Sequence, residues 1–174
     1  MPDLKWLEGY SGQGVDELID MASEYRIDSI VLAFEQAIQA TTSRDRLFEP
    51  SEVELTILAV EALEREVNNG GYHQFFLNTP EYAPHIVAAL QRIGCTRTAD
   101  ICTLSISLIG LRPPFTTEQV ETALENDPDG TLIEILIDKC DGLYYDSGEP
   151  IADRLFAYIR DHRGSIRIRK QDAH

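Results

Sequence analysis

Most of the side chains in this chain that could do chemistry together fall within Glu64–Asn78, which reads Glu-Arg-Glu-Val-Asn-Asn-Gly-Gly-Tyr-His-Gln-Phe-Phe-Leu-Asn. Glu64, Glu66 and His73 are titratable, Asn68, Asn69, Gln74 and Asn78 carry polar amides, and Gly70 and Gly71 let a backbone approach closely. Such a set could line a small-ligand pocket or, with His73 as a base beside Glu66, a hydrolytic site. It also has a structural reading. The two glycines make a tight helix–helix corner, Phe75 and Phe76 fill the core, and Glu66, Asn69, Gln74 and Asn78 satisfy buried polar groups. No nucleophile–base pair and no phosphate-type glycine loop accompanies the motif, so the structural reading is preferred and no catalytic residue is assigned. No His-Glu-x-x-His or comparable ligand spacing occurs, so neither a metal nor a cofactor is expected. His85 and His162 are expected at helix surfaces.

A second group of residues is notable for charge. Glu118, Glu121 and Glu125 fall at i, i+3, i+7, and Glu134, Asp138 and Asp141 at i, i+4, i+7, with Asp127 and Asp129 in the turn between. Asp16, Asp20 and Glu24 form a third row at i, i+4, i+8. Each spacing puts carboxylates on one face of a helix, where like-charged neighbours cost a few tenths of a kcal/mol per pair. A row of this kind resembles one strand of phosphates, and a facing row from another helix or a second subunit would resemble the other. A DNA-binding protein would meet there a charge pattern it already recognises. The plainer reading is a solvated face that keeps the protein soluble.

The elements that must position these residues are helical. Apolar spacing predicts helices over about 16–25, from Asp28 as a cap onward, 52–68, 71–78, 80–93, 97–109, 116–126, 131–145 and 149–162. Ser51 and Glu54 form a capping box, and the 97–109 segment is apolar enough to be central. On a wheel with Glu54 at zero, Glu61 and Arg65 share its face, expected to be exposed. Glu66 points the other way and is expected to be buried. Its partners should be the free N–H groups that open the 71–78 helix. Residues 165–169 alternate like a short strand. The expected architecture is all-α: one helical domain over 1–174 of about seven to nine helices, with a core over about 14–163. Peripheral segments over 1–13 and 164–174 complete it, the second irregular or strand-like.

Charge is laid out in blocks within a total of −15. Residues 1–66 carry 15 acids and 5 bases, residues 118–153 carry 11 and 1, and residues 154–174 carry 2 acids and 6 bases. The apolar content of 43% belongs to a folded chain, not an acidic tail. So strong a negative charge argues against direct binding to nucleic acid or to an anionic membrane. The sequence has no signal-peptide pattern and no apolar run of membrane-spanning length, so a cytoplasmic location is expected. Cys95, Cys102 and Cys140 form no Cys-x-x-Cys pair and read as small buried hydrophobes. The basic tail, with Arg154, Arg160, Arg163, Arg167, Arg169 and Lys170, could pair with the acidic blocks and cover them.

The Glu64–Asn78 motif, with Asp141…Tyr144-Tyr145 and the Tyr158–His162 ending, resembles a bacterial DNA-mimic family whose all-helical domain was long classed as of unknown function. The resemblance implies an all-helical fold and, for its best-understood member, an acidic protein that mimics DNA. The expected function is therefore non-enzymatic. Carboxylate-rich helix faces would be offered to a DNA-binding partner such as a transcription factor, a homodimer being compatible with this. The alternatives are a small-ligand or hydrolase pocket at the motif, or an immunity-type inhibitor of a basic nuclease.

Overall fold

A computed structural model describes residues 3–45 and 47–168. Among these it contains eight α-helices and no strand beyond one isolated bridge between Lys5 and Tyr25. The helices are α1 (Val15–Asp20), α2 (Ile27–Arg44), α3 (Glu52–Asn78), α4 (Ala83–Arg92), α5 (Thr96–Leu108), α6 (Thr117–Glu125), α7 (Thr131–Asp146) and α8 (Ile151–Asp161). Short 3₁₀ turns follow α1, precede α4 and follow α8. The all-α expectation holds. Packing divides the chain into two compact units, 1–61 with 150–174, and 62–149.

In the first unit α2 packs against α8, burying Ile30, Val31, Phe34 and Ile38 with Leu155, Phe156 and Ile159. The α2 start differs from expectation. Arg26, not Asp28, is the N-cap residue, and Asp28 sits in the first turn paired with the Arg26 guanidinium. The capping box that opens α3 is present: Ser51 N–H donates to Glu54 Oε2 at 2.7 Å, and Glu54 N–H donates to Ser51 Oγ at 3.3 Å.

Glu54 corrects the wheel. It is 0% exposed, and its carboxylate accepts Arg167 N–H at 2.6 Å and Arg167 Nη2 at 2.7 Å. The Arg167 guanidinium also stacks 4.4 Å from the Phe48 ring and donates to the Glu49 carbonyl. Glu61 is buried too. The wheel failed because residues 56–63 are buried without exception, so this stretch of α3 has no solvent face. The 97–109 helix is less deeply buried than expected, with Ile101, Leu104 and Leu108 only half-buried. Among the described residues of the tail no strand forms: Arg163–Ser165 is a 3₁₀ turn and residues 166–168 are irregular, while Arg169 and Lys170 lie outside the described residues.

The second unit is built on α4 and α7 packing against α5. Its core holds Leu63, Tyr72, Phe75, Phe76, Ile86, Leu90, Ile106, Val120 and Ile137, together with all three cysteines. The Tyr72 ring meets Tyr144 edge-on at 6.1 Å, and its hydroxyl lies 3.4 Å from Cys102 Sγ. Burial pushes the Cys102 thiol up to about 12, which suits a packing role and not a reactive one. Thr79 does not cap the helix that follows it; its hydroxyl donates back to the Phe75 carbonyl at 2.9 Å.

Candidate functional site

The glycines bend α3 without ending it. Gly70 (φ −164°, ψ 20°) and Gly71 (φ 76°, ψ −175°) leave helical geometry, and the helix resumes at Tyr72. A continuous α-helix would pair the Tyr72 N–H with the Asn68 carbonyl and the Gly71 N–H with the Val67 carbonyl. The break frees these groups, and α7 takes up two of them. Asp141 Oδ1 accepts the Tyr72 N–H at 2.8 Å, and the Tyr145 hydroxyl donates to the Val67 carbonyl at 3.1 Å. Asp141 and Tyr145 are one helical turn apart, so one face of α7 satisfies both sides of the corner. A Cβ on Gly71 would collide with the Asp141 carboxylate, which adds a steric reason for glycine to its left-handed φ.

Glu66 is buried, as the wheel predicts, but the N–H groups of the next helix are not its partners. Its Oε2 accepts Gln74 Nε2 and Asn78 Nδ2, both at 2.9 Å, and its Oε1 accepts Arg65 Nε at 3.1 Å. Burial works to raise the carboxyl pKa, but these three donors and the Arg65 charge outweigh it and hold Glu66 below the ordinary range. The motif's side chains thus satisfy one another across the corner. A carboxylate so engaged is a poor general base.

The remaining motif residues are dispersed. Asn68 and Asn69 are exposed, and the Asn68 side chain donates to the Glu64 carbonyl at 2.7 Å. His73 is half-buried with its ring against Gly130. Among the described residues no group of three or more His, Cys, Asp and Glu could hold a metal. An open depression of about 410 Å³ in this unit, lined by Ile109, Gly110, Leu111, Gln119, Thr122, Ala123 and Asn126, includes no motif residue.

Glu64 is the exception to this mutual satisfaction. Its Oε1 is buried and accepts no hydrogen bond, and burial pushes its carboxyl up to about 7. The Tyr144 hydroxyl is likewise buried without a partner.

The acidic rows fall largely where the spacing puts them. Glu118, Glu121 and Glu125 are exposed on α6 opposite buried Val120, and Glu134 and Asp138 are exposed on α7 opposite buried Ile133 and Ile137. None of these five forms an ion pair with a described base of their unit. Asp129 is exposed in the turn, whereas Asp127 accepts the Ile133 N–H at 2.7 Å and so caps α7. Asp141 is half-buried. Burial, together with the nearby Asp138 and Glu134 charges, raises its pKa despite the Tyr72 N–H.

In the first unit Asp16, Asp20 and Glu24 are exposed, with loose pairs from Asp16 to Arg163 (3.9 Å) and from Glu24 to Lys5 (4.0 Å). The basic tail is partly spent inside this unit, through Arg163 on Asp16 and Arg167 on Glu54.

One surface escaped the sequence reading. Leu132, Ile135, Leu136 and Leu143 are exposed along α7. Their spacing of i, i+3, i+4 and i+11 was legible in the sequence, but it is the same kind of signal that marks a core face.

Residues 49–162 match the model of the DMP19-like proteins, and the chain belongs to that family, a DNA-mimic family whose members are in general not enzymes. No curated protein and no solved structure gave a match. Among the described residues no helix is long and apolar enough to cross a membrane.

Proposed function

We propose that this protein is a cytoplasmic, non-enzymatic DNA mimic that presents the acidic faces of α6 and α7 to a DNA-binding protein, such as a transcription factor. The observation that carries this reading is the set of five exposed carboxylates, Glu118, Glu121, Glu125, Glu134 and Asp138, unpaired within their unit. Holding like charges at one-turn spacing costs stability, and a basic partner offsets that cost. The partner's cationic groups exchange phosphates for carboxylates, and the salt dependence of DNA binding carries over in kind. Asp129 extends the same surface, and the Asp16, Asp20, Glu24 row offers a second one. Asp127 and Asp141 contribute charge while holding the turn and the corner. Family membership supports the partner class, and a second copy of the chain would double the acidic area.

Affinity capture on the immobilised protein at low and moderate salt tests the proposal. Enrichment of basic DNA-binding proteins that elute as salt rises is the expected result. Retention of no such protein, or retention indifferent to salt, overturns it. Combined Glu118→Gln, Glu121→Gln and Glu125→Gln substitutions should weaken capture without unfolding the chain.

A further inference from the structure

Apolar side chains of α7 are left open to solvent where charge mimicry has no use for them. Leu132 and Ile135 are 61% and 69% exposed, and Leu136 and Leu143 are also open to solvent. At 100° per residue these four fall within about 100° of arc, bordering the face that buries Cys140, Ile133, Tyr144 and Ile137. Asp138 stands beside Ile135 at one edge of the stripe, with Glu134 further round the helix, and Asp146 falls within the arc at its C-terminal end. Lys139 is the one base along it, and its aliphatic stem can lie on the leucines. The stripe runs from Leu132 to Leu143, about 17 Å at helical rise. Duplex DNA offers a phosphate surface no such stripe. Contiguous exposed apolar surface of this kind marks a contact site.

We propose that this face docks an amphipathic basic helix of the partner, with its apolar side on Leu132, Ile135, Leu136 and Leu143 and its lysines or arginines on Asp138 and Asp146. Charge complementarity selects this occupant. A second copy of a chain of net charge −15 would bring a like-charged surface toward Asp138 and Asp146, whereas a basic helix neutralises them. The inference rests on the DNA-binding-partner reading and sharpens it: charge steers the encounter, and α7 supplies the desolvated contact that slows dissociation.

The full-length protein is titrated with three synthetic helical peptides of about fifteen residues. One carries leucines at helical spacing flanked by lysines, one has the same lysines with alanine for leucine, and one has glutamate for lysine. The Leu/Lys peptide should bind at least roughly tenfold tighter than the Ala/Lys peptide, and the Leu/Glu peptide should not bind. Leu132→Gln with Ile135→Gln, both at exposed positions, should abolish the advantage of leucine. The Gln triple variant of α6 should leave that advantage intact. Equal binding of the two lysine peptides, or an unaffected double variant, overturns the proposal. So does a dimer in sedimentation that the double variant dissociates, because a second copy would then own the face. If affinity capture retains no DNA-binding protein while the Leu/Lys peptide still binds α7, the partner class fails and the docking chemistry stands.

Discussion

Asp141 on α7 accepts the N–H of Tyr72, the first residue of the second arm of α3, and so completes a helix start that lies 69 positions away in sequence. An acidic residue that its spacing assigns to the outward row of α7 is instead half-buried and holds the backbone corner. Asp141→Ala should cost about 1–2 kcal/mol, the usual loss for a helix cap, and Asp141→Asn less than half of that. Gly71→Ala should cost about 2–3 kcal/mol, because it adds left-handed strain to a collision with the same carboxylate. Urea denaturation of the three variants checks the order.

Glu66 should behave as a structural anion. Glu66→Leu would take the shared acceptor from the half-buried Gln74 amide and from Asn78 and should cost about 1–2 kcal/mol. The folded pKa lies below the ordinary value of 4.5, so the folded state binds fewer protons than the unfolded chain in that window. Its contribution is present above about 4.5 and lost as pH falls through the folded pKa. Denaturation at pH 7 and pH 4 should show this loss in the native chain and a smaller one in Glu66→Gln.

Glu64 has the opposite sign. With its pKa raised from 4.5 to about 7, the folded state holds a proton that the unfolded chain releases. Stability should therefore fall as pH rises between those values, by up to about 3 kcal/mol, and then level off. Glu64→Gln should remove this slope and stabilise the protein at pH 8. Thermal melts of both proteins across pH 5–8 are the measurement.

Arg167→Ala would leave the fully buried Glu54 carboxylate with its backbone donors alone. Because the guanidinium is 54% exposed, the cost should be about 2–3 kcal/mol, below that of breaking a wholly buried pair. Arg167→Lys should recover part of this, since an ammonium cannot reproduce the forked contact. Equilibrium unfolding at pH 7 distinguishes the variants.

The α6 carboxylates should be dispensable for folding. Glu118→Gln, Glu121→Gln and Glu125→Gln together should leave stability unchanged or raise it by a few tenths of a kcal/mol. The same change should make partner affinity less steep in salt. A melting curve and a salt titration of the captured partner report the two effects separately.

What could be read from sequence was mainly local. The Ser51–Glu54 capping box, the glycine corner and the outward rows on α6 and α7 depend on residues within one or two turns of each other. The inward direction of Glu66 was also legible, because only the helical period decides it. Its partners were not: Gln74 and Asn78 reach it only after the Gly70–Gly71 bend folds one arm of α3 back toward the other. Glu54 and Asp141 were misjudged for a related reason. Their partners, Arg167 and the Tyr72 N–H, lie 113 and 69 positions away, and nothing in the neighbouring sequence announces either. A wheel assigns faces but cannot tell which acid has found a donor.

The Glu54–Arg167 pair also bears on the order of events during synthesis. The carboxylate leaves the ribosome 113 residues ahead of the guanidinium that neutralises it, and the whole 62–149 unit is made in between. The 62–149 unit can assemble while translation continues, whereas the unit that holds Glu54 must wait for Arg167. A nascent chain stalled before residue 167 would carry an anion ready for burial with no cation to meet it, a state for proteases to recognise and remove.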